Sequence, residues 1–324
     1  MRRPRVLILG TGGTIAGVAD PAAAGSGYRA ATLSVDELVA AVPALADYDL
    51  ETRQVAQVDS RNMTFAIWTE LHREVVGGLK DSQLDGIVIT HGTDTLEETA
   101  YFLARTLLAA KPVVLTAAMR PATALSADGP QNLLDAVRLA TDPAAAGVRV
   151  CVHEQVFPGF ALRKRHPYAL NAFSSSRDLS STMEGGCFTT PAALPEPLVF
   201  EPDLTWAWVE IVSSGAGQDG RSVDALIAAG VRGLVVAATG NGTLADPLLD
   251  ALRRAQRAGV EVVVVTRCAE GHIVGQPEHG LPCLGVTVPQ ARVELLLLIR
   301  WKAGTERSRA LAAAAQQGGS VGKG

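Results

Sequence analysis

Apolar residues along the chain follow two alternating patterns. Short runs dominated by β-branched residues, at 5–10, 87–89, 113–116 and 147–152, have the compactness of parallel strands covered on both faces. Between them, apolar positions recur at intervals of three and four: Trp68, Leu71, Val75 and Leu79 in one stretch, Leu96, Ala100, Leu103 and Leu107 in another. Each set makes a stripe along one side of a helix. A shorter helix is predicted over 34–42, a strand over 50–55, and a further helix through Leu139, announced by Asp128 as its cap and Pro130 in its first turn. Strand followed by helix, repeated, predicts an α/β fold with a mostly parallel sheet. Four prolines between 191 and 202 interrupt any regular element. They read as a linker over 191–205, separating an N-terminal domain at 1–190 from a smaller α/β domain at 206–324. The second part restarts the alternation, with strands over 206–212, 233–237 and 260–266 and helices over 223–229, 247–258 and 290–301. Asp246 reads as the cap of the second of these helices, and an Ala- and Gly-rich tail begins at Thr305.

The polar residues matter most where strands end, because in open α/β sheets ligands gather at the carboxyl edge, among helix N-termini. The first strand runs into Thr11, Gly12, Gly13 and Thr14; the strand at 87–89 runs into His91, Gly92, Thr93 and Asp94; the next ends at Ala117, Ala118, Met119 and Arg120. A dinucleotide fingerprint is excluded at the first turn, since GxGxxG begun at Gly10 places its third glycine on Ile15, and no GK[ST] follows for a P-loop. At the second turn, Asp94 followed by Glu97 has the form of a helix cap. A cap explains neither Thr93 nor the second threonine-bearing turn. The Ala-, Gly- and Ser-rich stretch after Gly17 has Tyr28 as its one aromatic residue and the composition of a mobile lid. Ser60 has the form of a residue that begins a helix, Asn241 that of a residue in a left-handed turn, and the run Arg163, Lys164, Arg165, His166 that of a solvated basic face.

Several of these stretches together resemble one family. TGGTIAG at 11–17, VDSRNM at 58–63, HGTDTLEETAYFL at 91–103, AMRPATALSADGPQNL at 118–133 and TGNGT at 239–243 are similar to the signature segments of the bacterial L-asparaginase family. The resemblance implies a flavodoxin-like or Rossmann-like N-terminal domain and a homotetramer built as a dimer of dimers. It implies an amidohydrolase acting on L-asparagine, with Thr14 as nucleophile and Tyr28 closing over it. A second set, Thr93, Asp94 and Lys164, would orient the attacking water, with Arg163 and Arg165 competing with Lys164 for the catalytic place. Ser60 would bind the substrate α-carboxylate, with Arg61 beside it where relatives often carry glutamine, and Asn241 would reach a neighbouring subunit's site. Backbone N–H groups at Thr93 and Ala118 are candidate oxyanion donors. No cofactor and no metal is implied. A glutaminase-leaning relative or another ω-amidase is the nearest alternative, and a non-catalytic binder of nucleotides or sugars is the alternative from a different class.

Composition narrows the setting. The 324 residues are 48% apolar, 19% charged and 5% aromatic, as in soluble α/β proteins with ample core. A net charge of −4 with scattered Lys and Arg argues against nucleic acid as a partner. The apolar run at 6–9 is shorter than a signal-peptide core of about 7–15 residues. No run approaches the roughly 20 apolar residues of a membrane span. Cys151, Cys187, Cys268 and Cys283 form no CxxC pair and read as free, buried thiols of a cytoplasmic protein.

Overall fold

The computed structural model describes residues 2–19, 27–176, 181–184, 187–188, 196–198, 200–202, 205–275 and 277–300, with the backbone alone at 181–184 and 187–188. The chain divides into two compact units, Met1–Pro197 and Leu198–Gly324. Most of the proposed linker, and the tail from Thr305, lie outside the described residues.

The strands of the first unit are β1 (Arg5–Gly12), β2 (Val18–Ala19), β3 (Tyr28–Arg29), β4 (Asp49–Val58), β5 (Gly86–Thr90), β6 (Pro112–Thr116), β7 (Gly147–Val152), β8 (Gln155–Pro158), β9 (Leu162–Lys164), β10 (Phe173–Ser175), β11 (Ser181–Glu184) and β12 (Cys187–Phe188). Its helices are α1 (Val35–Ala40), α2 (Phe65–Lys80), α3 (Leu96–Thr106) and α4 (Gly129–Ala140). The main sheet has eight strands in the order β4-β1-β5-β6-β7-β8-β11-β12. The first five are parallel and the last three join antiparallel. Numbered by their sequence, the parallel strands run 2-1-3-4-5, the flavodoxin-like order, and the order reverses between β1 and β5. Strands β5, β6 and β7 are buried along their whole length, which is why their sequences are almost continuously apolar. Val6, Ile8, Val88 and Val114 pack with α1 and α4 on one face. Leu7 and Ile87, which point to the other face, pack beside Gly78 of α2.

The first helix is shorter than its pattern suggested. Ser34 caps it in a full capping box with Glu37. The antiparallel strands after β7 were not anticipated, being two to four residues long and too short to show a period.

In the second unit β13 (Val209–Ser213), β14 (Gly233–Ala238) and β15 (Glu261–Thr266) form a parallel sheet in that order. Helices α5 (Arg221–Ala228) and α6 (Asp246–Arg257) cover one face with Val223, Leu248 and Leu252. Helix α7 (Val288–Arg300) covers the opposite face, where Leu295 and Ile299 crowd Gly233. Pairing begins at Val209 rather than at Trp206, and Trp301 lies outside the described residues. Asp246 is the first residue of α6 and not its cap, a place taken by Ala245.

Candidate active site

Because β1 and β5 pair in parallel with Gly10 opposite Thr90, the turns that follow them leave the sheet side by side at the point where the strand order reverses. Two glycines let these turns touch. A Cβ on Gly13, whose φ is +83°, would lie 2.3 Å from the Gly92 Cα, so the residues preceding Thr14 and Thr93 meet backbone to backbone. Thr11 Oγ1 reinforces the junction by donating to the Thr90 carbonyl at 2.9 Å.

Thr14 begins a short 3-10 turn, Thr14–Ala16, and is buried. The two-residue ladder of β2 and β3 brings the chain back over it, and Tyr28 Oη lies 2.7 Å from Thr14 Oγ1. Across the junction, Lys164 Nζ donates to Thr93 Oγ1 at 2.9 Å and to Asp94 Oδ1 at 2.6 Å. Thr93 is buried, the Lys164 side chain is 16% exposed and that of Asp94 58%. Lys164 reaches this place from β9, which pairs with β10 through Phe173. Its own N–H donates to Glu97 Oε2 at 3.0 Å. The cap reading of Asp94 and Glu97 is therefore corrected. Thr95 occupies the cap position of α3, and both acids turn to Lys164.

Ser60 also belongs here and does not start the helix, a role taken by Thr64. It is buried; its Oγ accepts the Asp94 N–H at 3.2 Å, and its carbonyl accepts the Thr95 hydroxyl at 2.9 Å. Arg61 follows in the same short turn, with its side chain 74% exposed and paired with Asp59. The turn after β6 adds Ala118, which is buried. No described residue pairs with the backbone N–H of Thr93 or of Ala118, so both are open to an incoming oxygen.

The arrangement thus holds a buried threonine hydroxyl against a phenol, and beside it a second threonine hydroxyl held by an ammonium–carboxylate pair. Comparison with known proteins bears on the chain as a whole. The family profile described as "Asparaginase, N-terminal" matches residues 5–185, and that described as "Glutaminase/Asparaginase C-terminal domain" matches residues 208–311. The chain belongs to the asparaginase family. It is 35% identical over 312 residues to the probable periplasmic L-asparaginase of Haemophilus influenzae, covering 91% of this chain and 88% of that one. It is 38% identical over 267 residues to the glutaminase-asparaginase of Pseudomonas aeruginosa, covering 80% of this chain and 74% of the relative. The crystal structure of a probable cytoplasmic L-asparaginase from Campylobacter jejuni superposes with a TM-score of 0.87 at 34% identity, covering 96% of this chain and 99% of that one.

In this member of the asparaginase family the histidine of the second turn is structural. His91 is fully buried, and its Nδ1 donates to the Gly92 carbonyl at 2.7 Å. Its Nε2 must then accept the Thr99 hydroxyl at 3.0 Å, and Thr99 Oγ1 in turn accepts the Trp68 indole N–H at 2.8 Å. Burial pushes its pKa down to about 4, against a smaller upward pull from the Gly92 carbonyl. With both nitrogens committed and the ring neutral, His91 fixes the turn and keeps its single ring proton on the Gly92 carbonyl.

Two groups important to the geometry were missed in the sequence. Glu97 looked like a cap partner, and Asp128 like a cap. Asp128 does sit at the cap position of α4, but its carboxylate makes no capping bond and instead accepts the N–H groups of Met119 and Arg120. A cue existed in Asn132, a polar residue on the buried stripe of α4 four positions on.

Asn241 lies in the second unit. The left-handed residues of its turn are Gly240 and Gly242, not Asn241. Its side chain instead pins the neighbouring loop, donating to the Val274 carbonyl at 2.9 Å and accepting the Val274 N–H at 2.8 Å. Among the described residues no group of His, Cys, Asp and Glu could hold a metal, and no helix is long and apolar enough to cross a membrane. The three cysteines whose side chains are described, Cys151, Cys268 and Cys283, are free. Cys151 is buried, Cys283 partly so, and Cys268, contrary to expectation, is exposed.

Proposed function

We propose that this protein hydrolyses L-asparagine to L-aspartate and ammonia through an acyl-enzyme on Thr14. The observation that carries the reading is the contact of two turns, one holding Thr14 against Tyr28 and the other Thr93 against Lys164 and Asp94. An amide is a poor electrophile and a threonine hydroxyl a poor nucleophile, so both must be assisted. In the first step Thr14 Oγ1 bonds to the amide carbon while its hydrogen passes by way of the Tyr28 phenol toward the departing nitrogen. The C–N bond breaks and ammonia leaves. The N–H groups of Thr93 and Ala118 receive the oxyanion, each such donor supplying roughly 3 kcal/mol. In the second step water adds to the ester carbon, oriented by the Thr93 hydroxyl that Lys164 and Asp94 hold in place. The bond to Thr14 breaks, its hydroxyl is restored, and aspartate departs. Ser60 and Arg61 line the end of the pocket that takes the α-carboxylate, and Asp94 faces the ammonium.

The working assembly is a homotetramer, a dimer of dimers, in which Asn241 completes a neighbouring subunit's site, and the enzyme resides in the cytoplasm. The name of the Campylobacter relative supports that location. Light scattering that returns a single chain, or ammonia release confined to a periplasmic fraction, overturns these two points. A glutaminase-leaning activity is the second reading, favoured by the 38% identity to the Pseudomonas enzyme. A coupled ammonia assay with asparagine and with glutamine tests the whole. Faster release from asparagine is expected; faster release from glutamine selects the second reading. Release from neither, with tight nucleotide binding, leaves a non-catalytic binder.

A further inference from the structure

The turn that carries Ala118 is pinned on both sides of that residue and open at the residue itself. Asn132 Nδ2 donates to the Ala117 carbonyl at 2.9 Å and to Asp128 Oδ2 at 3.2 Å. The two Asp128 oxygens accept the Met119 N–H at 3.0 Å and the Arg120 N–H at 2.9 Å. Asn132 Oδ1 is itself fixed by the His153 N–H at 2.9 Å. Ala118 is 1% exposed, yet neither its N–H nor its C=O is paired with any described residue. A buried peptide group is costly to leave unpaired, so an open one held between the anchored Ala117 carbonyl and the anchored Met119 N–H marks a place kept for a ligand.

The direction of the open groups follows from peptide geometry. In a planar trans peptide the C=O and N–H of one unit point opposite ways. Because the Ala117 carbonyl is drawn to Asn132, the Ala118 N–H of the same unit points away from it. Because the Met119 N–H is drawn to Asp128, the Ala118 C=O points away from Asp128. Each anchor therefore aims a different group: Asn132 the donor, Asp128 the acceptor.

We propose that Asp128 is a positioning residue for amide selectivity: by holding the Met119 and Arg120 N–H groups it aims the Ala118 carbonyl to accept the N–H of the substrate's side-chain amide, while Asn132 aims the Ala118 N–H at the carbonyl oxygen. The inference rests on the amidase reading above. An ester offers no N–H to the Ala118 carbonyl, so Asp128 matters to the amide and little to the ester.

The test compares L-asparagine with L-aspartate β-methyl ester on the intact protein. Asp128→Asn is isosteric but sets an amide NH2 against one of the two backbone N–H groups, releasing the pin. The expected result is a fall of tenfold or more in the ratio of kcat/KM for amide over ester. Asn132→Asp, which replaces the donor to Ala117 with an acceptor, is expected to lower both substrates alike. General damage to the fold would lower both substrates in both variants, so a ratio unchanged in Asp128→Asn overturns the proposal. If that variant does not fold, Asp128→Ser, which keeps one acceptor and brings no opposing NH2, is read by the same ratio with the same outcomes. A wild-type protein that releases no ammonia from asparagine would sink the amidase reading instead.

Discussion

Replacing Gly92 with alanine adds one methyl group where the turns carrying Gly13, Ser60 and Gly92 meet. Built on the native backbone, that methyl would lie 2.6 Å from Ser60 Oγ, 2.7 Å from Ser60 Cβ and 3.0 Å from Gly13 Cα. Rotating the Ser60 side chain relieves the first contact only, since the other two atoms are fixed by the backbone. Carbon atoms rest at about 3.5–4.0 Å, so the turns must separate by roughly 1 Å. Overpacking of this kind costs about 1–3 kcal/mol of stability. A displacement of about 1 Å in an active site can cost about a hundredfold in rate. Gly92 does not have a positive φ, so the effect is steric and not conformational. The expected outcome for Gly92→Ala is a folded protein that melts a few degrees lower, with kcat/KM for asparagine reduced about a hundredfold. Gly77→Ala is the control: nothing lies within 4 Å of that methyl, and in the interior of α2 it should stabilise by about 0.5–1 kcal/mol with full activity. A folded Gly92→Ala that turns over asparagine at the wild-type rate would refute the claim that contact between the turns sets the catalytic geometry.

Thr14→Ala and Thr93→Ala should each reduce ammonia release to background with little change in melting temperature, and near-normal turnover in either would remove that residue from the mechanism. Lys164→Met should lower kcat about a thousandfold while stability moves by no more than about 1 kcal/mol, because its partner Asp94 is 58% exposed; urea titration and steady-state kinetics read the two separately. Burial pushes both His72 and His91 down to about 4, below the ordinary value near 6.5 that they regain on unfolding. The unfolded chain therefore binds the extra protons first. Stability is fully present above about pH 6.5 and lost as pH falls toward 4, by up to roughly 3 kcal/mol per histidine. His72→Gln should flatten that slope in urea midpoints measured against pH, and an unchanged slope would contradict the assignment. Of the described thiols, exposed Cys268 should be alkylated first, since burial pushes Cys151 up to about 12 and Cys283 up to about 11; peptide mass spectrometry gives the order.

The fold was legible where burial dictates composition. Strands β5, β6 and β7 are covered on both faces and their sequences say so, and the stripe of α2 through Trp68, Leu71 and Val75 is buried as its spacing requires. What the pattern could not supply is non-local. The position of β1 between β4 and β5, which makes the two threonine turns neighbours, depends on strand order and not on any local residue. Acids near helix starts were misread for a related reason. Asp94, Glu97 and Asp128 sit where caps sit, but each found a partner from the site or from the adjoining turn: Lys164 for the first two, Met119 and Arg120 for the third. Lys164 and Tyr28 stood out only through the family resemblance, since one sits in a basic run and the other alone in a small-residue loop.

The constellation is gathered from five separate stretches of chain: Thr14 and Tyr28 after β1, Ser60 after β4, Thr93 and Asp94 after β5, Ala118 after β6 and Lys164 beyond β8. No fragment shorter than most of the first unit contains the set, and long-range parallel pairing is the slow part of folding. After dilution from denaturant, helical signal should therefore recover well ahead of ammonia production. The lag between them would time the moment at which the parallel strands settle into register.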